Sequence, residues 1–226
     1  MANVRDAIDR MAELPSFAAV YSHTVRFVKL ITGFDRVMVY RYDADYNGEV
    51  VAEARLDELN SFLGQHYPAS DIPAQARALY EKNWIRLISD VDYTPAPLIP
   101  GTDAATGSPL DLTYATLRSV SPIHIEYLKN MGVRASMSIS LLRHGRLWGL
   151  IACHHYSGPH LPPFGSRAAA EFLGSTLSLR LVDQYEEDEL QRRLAAQEVL
   201  ARLIAATLDD DTPLVTTLLD TPSLLD

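Results

Sequence analysis

The sequence has one cysteine, Cys153, in 226 residues. A lone thiol excludes an internal disulfide and any zinc site built from several thiolates, and it fits a reducing cytoplasm. No apolar run approaches the ~20 residues needed to cross a bilayer, and the first residues lack a basic stretch followed by an apolar core. A cytoplasmic protein without a membrane partner is expected. Positive charge is also short: 20 basic against 29 acidic residues leave a net charge of −9. This argues against a nucleic-acid partner or an anionic membrane, while local arginines stay available for small anions. There is no glycine-rich phosphate loop, no His/Glu pair at metal-binding spacing on one helical face, and no nucleophile elbow.

What the chain does have is proline packed around one acidic residue, in Tyr67-Pro68-Ala69-Ser70-Asp71-Ile72-Pro73. Each proline fixes φ at about −65° and withholds a donor, so the backbone between them cannot join a regular ladder. It has to be held by side chains or by a ligand. A plainer role competes, in which Ser70 or Asp71 caps a helix running from about Pro73 to Trp84.

Val4, Ile8 and Met11 recur at helical spacing before Pro15, and Phe17, Val20, Tyr21, Thr24, Phe27, Val28 and Ile31 resume it. The spacing predicts a short and then a longer helix ending before Gly33. Arg36 to Tyr42 alternates, with Val37 and Val39 on one face and Met38, Tyr40 and Tyr42 on the other, as a strand does. Asn47-Gly48 reads as a hairpin turn, with Glu49 to Ala54 pairing back antiparallel. From Asp90 to Thr113, Pro95, Pro97, Pro100 and Pro109 forbid long regular elements, and such a loop is a candidate lid over a pocket. A helix near Ile123 to Asn130 follows, then a strand Ala135 to Leu142, a turn at His144-Gly145, and a strand Leu147 to His155.

In this second hairpin Ser136, Ser138 and Ser140 share a face, opposite Met137, Ile139 and Leu141. Trp148, Leu150, Ala152 and His154 share another, opposite Gly149, Ile151, Cys153 and His155. A serine row is either the solvated face of an antiparallel sheet or a line of hydroxyls facing a polar cavity. After Pro162-Pro163, Ser166 is a candidate cap for a long helix with a core stripe of Ala169, Phe172, Leu173, Thr176 and Leu177. Leu190, Leu194, Ala201 and Ile204 continue at coiled-coil spacing over about two heptads, which reads either as the homodimer surface of a C-terminal helix that leaves the domain or as a solvated helix end. Together these elements predict an α+β fold, a central antiparallel β-sheet flanked by helices. The expected organisation is an N-terminal helix over 1–15, the main domain over 16–185, a connecting helix over 186–208 and the possible start of a second domain over 209–226.

Three stretches carry a family resemblance: the run from Tyr67 to Tyr80 around Asp71-Ile72-Pro73, the run from Leu117 to Gly132 around Ser121-Pro122-Ile123-His124, and Leu147-Trp148-Gly149-Leu150-Ile151-Ala152-Cys153-His154-His155. In this order they resemble the bilin-binding GAF domain of bacterial phytochromes. The resemblance implies a red/far-red photoreceptor rather than an enzyme, with biliverdin IXα, a linear tetrapyrrole, in a pocket centred on Asp71, Ile72 and Pro73. It implies that the Asp71 carbonyl faces the pyrrole nitrogens and that its carboxylate faces a following domain. His124 would stack near the middle rings and share a water with them. Arg86 and Arg118 would hold the two propionates, helped by Tyr80, Ser121, Ser136 and Ser138. Tyr40, Tyr67 and Tyr127 would surround the terminal ring that isomerises in light, and His154 would hydrogen-bond its carbonyl.

The sequence also departs from that family. Bacterial members attach biliverdin through a cysteine upstream of an N-terminal PAS domain. Plant and cyanobacterial members use a cysteine just before the motif histidine, where this chain has Ile123. Non-covalent binding is therefore expected, with Cys153 buried on the strand face opposite His154. The PAS region, most of the PHY domain and the output module are expected to lie outside the chain, which precludes the family's knot and leaves a stable far-red product poorly formed. Plainer roles compete residue by residue: surface ion pairs for the arginines, core positions for His124 and the tyrosines. Two other functions are open to such a chain. One is a GAF regulatory or dimerisation domain that has lost bilin or takes another small ligand such as a cyclic nucleotide. The other is an acid–base enzyme using Asp71 and His124, for which the sequence supplies no nucleophile, metal or cofactor loop.

Overall fold

The chain divides into two units, Met1–Leu179 and Arg180–Asp226. A computed structural model describes residues 4–116 and 118–208. Helices α1 (Val4–Glu13) and α2 (Phe17–Thr32) lie either side of Pro15, and the Ser16 hydroxyl caps α2 by accepting the Ala19 N–H at 3.3 Å. Then come β1 (Arg36–Tyr42), β2 (Gly48–Arg55), β3 (His66–Tyr67), a 3-10 turn over Ala69–Asp71, α3 (Ala74–Lys82) and β4 (Ile85–Ile88). The chain continues through α4 (Pro122–Asn130), β5 (Ala135–Arg143), β6 (Arg146–His155) and α5 (Phe164–Leu208). The six strands form one sheet in the order β3-β2-β1-β6-β5-β4, antiparallel at every pairing. This is the expected α+β architecture. β3 and β4, with two and four residues, are too short to display an alternation, and the sequence reading missed both.

One face of the sheet is the apolar layer. Val37, Val39, Ile139, Leu141 and Ile151 are fully buried in the sheet, and Val25, Val28, Leu173 and Leu177 are fully buried on α2 and α5. Each such leucine contributes about 1.5–3 kcal/mol by leaving water. Gly174 lets α5 come close: a Cβ there would lie 2.7 Å from Ile139 Cγ2. The expected stripe on α5 needs correction, because Ala170 is buried and Phe172 is 58% exposed. Nor does Ser166 cap α5, which begins two residues earlier at Phe164. Leu190, Leu194 and Ile204 are at least half exposed on its later turns. The segment 209–226, expected to open a second domain, lies outside the described residues.

Two further expectations change at irregularities. The first hairpin turns on Asp43 rather than on an Asn47-Gly48 pair. The Asp43 Oδ1 accepts the N–H groups of Asp45 and Asn47 at 2.9 and 2.8 Å, Tyr46 takes a φ of 64°, and Gly48 already pairs with Tyr42. In the second hairpin Leu141 pairs with Gly149 but Leu142 with Leu147, so Trp148 is the extra residue of a bulge. The bulge turns Trp148 away from Leu150 and against Tyr21 of α2, with ring centroids 5.9 Å apart.

A buried ion pair fixes the connection from β2 to β3. Arg36 Nε lies 3.1 Å from Glu53 Oε1, and both side chains are under 5% exposed, at 2% and 4%. Glu53 also accepts the Phe62 N–H at 3.1 Å and the Ser61 hydroxyl at 2.7 Å. Arg36 donates to the Asn60 carbonyl and lays its guanidinium 3.6 Å from the Phe62 ring centroid. Removing one partner leaves the other charged and buried, so Glu53→Ala should cost about 3–5 kcal/mol in urea unfolding. The double variant Arg36→Met/Glu53→Leu should lose less than that single substitution.

Candidate functional site

The opposite face of β1, β6 and β5 forms the wall of a cleft lined mainly by apolar and aromatic side chains with a few polar groups among them, the kind of lining a small-molecule site has. Met38 and Tyr40 of β1, Ser136 and Ser138 of β5, and Leu150, Ala152 and His154 of β6 line it. These strands alternate, so the serines face the cleft while Met137 and Ile139 face the core. The serine row is not a solvated face: Ser136 and Ser138 face the cleft, whose lining is mainly apolar, while Ser140 is fully buried and bonded to Arg86 and the Tyr80 carbonyl. Asp71, Ile72 and Tyr80 close one side, His124 and Tyr127 of α4 another, and Tyr67 and Phe62 a third.

The cleft thus gathers Tyr40, Tyr67, Asp71, Ile72, Tyr80, His124, Tyr127, Ser136, Ser138 and His154 from distant parts of the chain. Four other candidates do not line it. Pro73 is exposed at the start of α3, and Ser121 is exposed at the start of α4 without a side-chain capping bond. Arg118 is half-buried, and Arg86 lies behind Ser138. Phe62, Val50, Leu128 and Met131 line the cleft and were missed. Phe62 sits in an irregular segment, where no period marks a buried ring. No residue of the stretch between β4 and α4 lines the cleft, so the lid expected there is not seen among the described residues. That excursion is tied down by its ends: the Asn83 amide donates to the Thr113 carbonyl, and Asp92 pairs with Lys129 at 2.6 Å and Arg134 at 2.7 Å.

The Asp71 turn is not a helix cap, since no side chain caps α3. The Asp71 Oδ2 instead accepts the Tyr127 hydroxyl at 3.0 Å. The Asp71 N–H donates to the Pro68 carbonyl at 3.0 Å, completing the 3-10 turn that the flanking prolines isolate from other structure. Tyr40 lies near Tyr67, with ring centroids 5.8 Å apart, and the Tyr67 hydroxyl is bonded to Gln65. Burial, and then the bond to Asp71, holds the Tyr127 hydroxyl protonated far above its ordinary range.

Arg86 dominates the other side. Its Nε donates to Ser138 Oγ at 2.9 Å, and its Nη1 donates to the Asn83 carbonyl at 2.6 Å and Ser140 Oγ at 2.8 Å. The guanidinium lies 3.8 Å from the Tyr80 ring centroid, while Nη2 is buried with no partner. Burial lowers the Arg86 pKa to about 10, and the nearby Arg118 charge acts in the same direction. Burial, then Arg86, lowers the His124 pKa. His154 is lowered to about 3, by burial first and by the charges of Arg36 and His124 after it, and its Nδ1 has no partner. Both histidines are therefore neutral at pH 7. Cys153 is fully buried on the core side, between Val37 and Met137 in the sheet, and burial pushes its thiol far above the usual range.

The architecture is that of an α+β domain with a lined cleft on one face of its sheet, and the comparisons place it in a family. The GAF domain model matches residues 16–182, so the chain belongs to the GAF family. Within that family it is of the phytochrome type. It is 50% identical over 177 residues to cyanobacterial phytochrome B of Nostoc sp., covering 78% of this chain and 23% of that protein. It is 48% identical over 196 residues to the bacteriophytochrome of Pseudomonas aeruginosa, covering 86% of this chain and 27% of that one. The solved chromophore-binding domain of Stigmatella aurantiaca bacteriophytochrome superposes with a TM-score of 0.74 at 50% identity, over 79% of this chain and 58% of that one. The chain spans about a quarter of the length of these two curated relatives. Among the described residues, no helix is long and apolar enough to cross a membrane, and no His/Cys/Asp/Glu group could hold a metal ion.

Two predictions follow from the geometry. A Cβ on Gly48 would lie 1.7 Å from Tyr40 Cζ, so Gly48→Ala must drive the Tyr40 ring out of place, at about 1–3 kcal/mol in urea unfolding. The folded pKa of His154, about 3, lies below its ordinary 6.5, so unfolding takes up a proton wherever the pH lies between them. Its contribution to stability is complete above pH ~6.5 and is lost as the pH falls towards 3. His154→Gln should flatten the stability difference between pH 7.5 and pH 5, as read by denaturant unfolding at each pH.

Proposed function

We propose that this chain is the light-sensing module of a phytochrome and binds biliverdin IXα without a covalent bond. The observation that carries the reading is Arg86: among the described residues its desolvated guanidinium has no carboxylate partner, and its buried Nη2, beside the cleft, has no partner at all. An uncompensated buried cation is costly, and an anionic ligand relieves that cost. A linear tetrapyrrole fits the rest of the lining, being a long conjugated plate with two carboxylates that needs aromatic walls and few polar contacts. The similarity to a domain described as chromophore-binding points the same way.

In this reading Arg86 Nη2 and Arg118 hold the propionates. Arg86 offers a single donor rather than a two-pronged fork, because Nε and Nη1 are already spent on Ser138, Asn83 and Ser140. Ser136, Ser138, Ser121 and Tyr80 complete that end. Among the described residues no donor reaches the Asp71 carbonyl, which in this reading accepts from the pyrrole N–H groups. His124, kept neutral, lies against the middle of the plate, its ring 6.5 Å from that of Tyr127 and nearly parallel to it at 13°. Tyr40, Tyr67 and Tyr127 enclose the terminal ring, whose carbonyl lies within reach of neutral His154. The bound bilin supplies the red absorption and the double bond whose isomerisation starts the signal. Cys153 is on the wrong face and too firmly protonated to attack it.

The test is titration of the purified chain with biliverdin. A sharpened far-red band with saturable binding is expected, and no spectral change would refute the reading. Arg86→Met should weaken binding by about 10–100-fold. A denaturing gel stained with zinc should show no bilin on the polypeptide.

A further inference from the structure

Between Pro68 and Pro73 most main-chain oxygens are already engaged. The Pro68 carbonyl accepts the Asp71 N–H, and the Pro73 carbonyl accepts the N–H groups of Ala76 and Arg77 at 2.9 and 3.1 Å. Two more are taken by a side chain that no role above uses. Arg77 Nη1 donates to the carbonyl of Ala69 at 3.2 Å and to that of Ile72 at 2.5 Å, one on each side of Asp71. The donors of Arg77 thus go to the main chain rather than to a carboxylate. Its guanidinium lies 4.2 Å from the ring centroid of Tyr46 in the first hairpin, and Tyr46 is held in turn by Arg146 at 3.3 Å. A cation stacked on an aromatic face and bonded through one nitrogen to two carbonyls is a stiff strut, because the planar guanidinium cannot turn without leaving either the ring or the carbonyls. From the opposite side, Tyr127 fixes the Asp71 carboxylate.

We infer that Arg77 is the positioning residue of the site: it braces the turn so that the Asp71 carbonyl points at the pyrrole N–H groups of the bound bilin. This rests on the reading of the cleft as a bilin site. The bracing sets how firmly the bound ring system keeps its protons and how rigidly it is held, while the contacts that give affinity lie elsewhere, on the arginines of the propionate end and the aromatic walls.

The test uses Arg77→Met, which keeps the stem and removes every donor, and Arg77→Lys, which keeps the charge and one donor nitrogen but not the planar face on Tyr46. The first readout is the alkaline titration of the far-red band in the biliverdin-loaded chain. Arg77→Met should lower its midpoint by about one unit, a tenfold weaker hold on the proton, with the dissociation constant changed by less than about fivefold, and Arg77→Lys should recover part of the shift. The second readout, on the ligand-free protein, is amide exchange at Asp71 and its neighbours, which should quicken by about tenfold in Arg77→Met. Wild-type values in both readouts would overturn the assignment. Faster exchange in a protein that takes up no biliverdin would leave the brace standing and remove the bilin reading. Normal exchange and an unmoved titration in a protein that binds biliverdin would do the reverse. If Arg77→Met loses its far-UV circular dichroism, Arg77→Lys carries both measurements.

Discussion

Every side chain on β1, β5 and β6 must go to one face of the sheet or the other, and the rest of the molecule follows from how that choice is made. Val37, Val39, Ile139 and Ile151 go to the face covered by α2 and α5, and Met38, Tyr40, Ser138, Ala152 and His154 go to the other. Because the period is two, a one-residue slip in any of these strands would put serines and a histidine in the core and isoleucines in the cleft. The apolar layer therefore fixes the register that builds the site. The register slips twice: at Trp148, at the hairpin end beyond the residues that line the cleft, and between Val39 and Tyr40 of β1 opposite β2, where Val51 is the extra residue and Tyr40 and Val50 still line the cleft.

Two arginines with desolvated guanidiniums make the electrostatics legible. Arg36 has its counter-charge inside the protein, in Glu53, and holds the segment that carries Phe62 through the Asn60 carbonyl and the Phe62 ring, with Nη1 buried without a hydrogen-bond partner. Arg86 has hydroxyls, a carbonyl and an aromatic face, but no negative charge. The same desolvation cost is met internally in one case and left open in the other. That contrast is stronger support for an anionic ligand than the shape of the cleft, since apolar and aromatic clefts also bind neutral molecules. Burial first, and the Arg86 charge after it, keep His124 neutral, so a neutral imidazole lines the cleft and the open cationic donor lies behind its serines.

Much of the layout could be read from pattern alone. Helical spacing located α1 and α2 because their buried residues recur every three or four positions, and alternation located β1, β5 and β6 because each is long enough to show it. Pattern failed where geometry is local. Asp43 makes the first turn with its carboxylate, a bond that the neighbouring Asn47-Gly48 pair obscures. Trp148 changes face through one extra residue, and Phe172 points outward because α5 meets the sheet along Ala170, Leu173 and Leu177.

The sequence by itself determined the elements, the alternation that separates core from cleft, the isolated turn at Asp71 and, through three long motifs, the family to which such residues belong. These are properties of neighbours in the chain, set by steric limits on proline and by the fixed periods of helix and strand. Only the tertiary structure decided which of the polar residues meet. It left Arg86 without a carboxylate and gave Arg36 one, joined Asp71 to Tyr127 across 56 residues, and set Arg77 beneath the turn and against Tyr46. Those outcomes depend on distances between segments remote in sequence, and no local propensity records a distance of that kind.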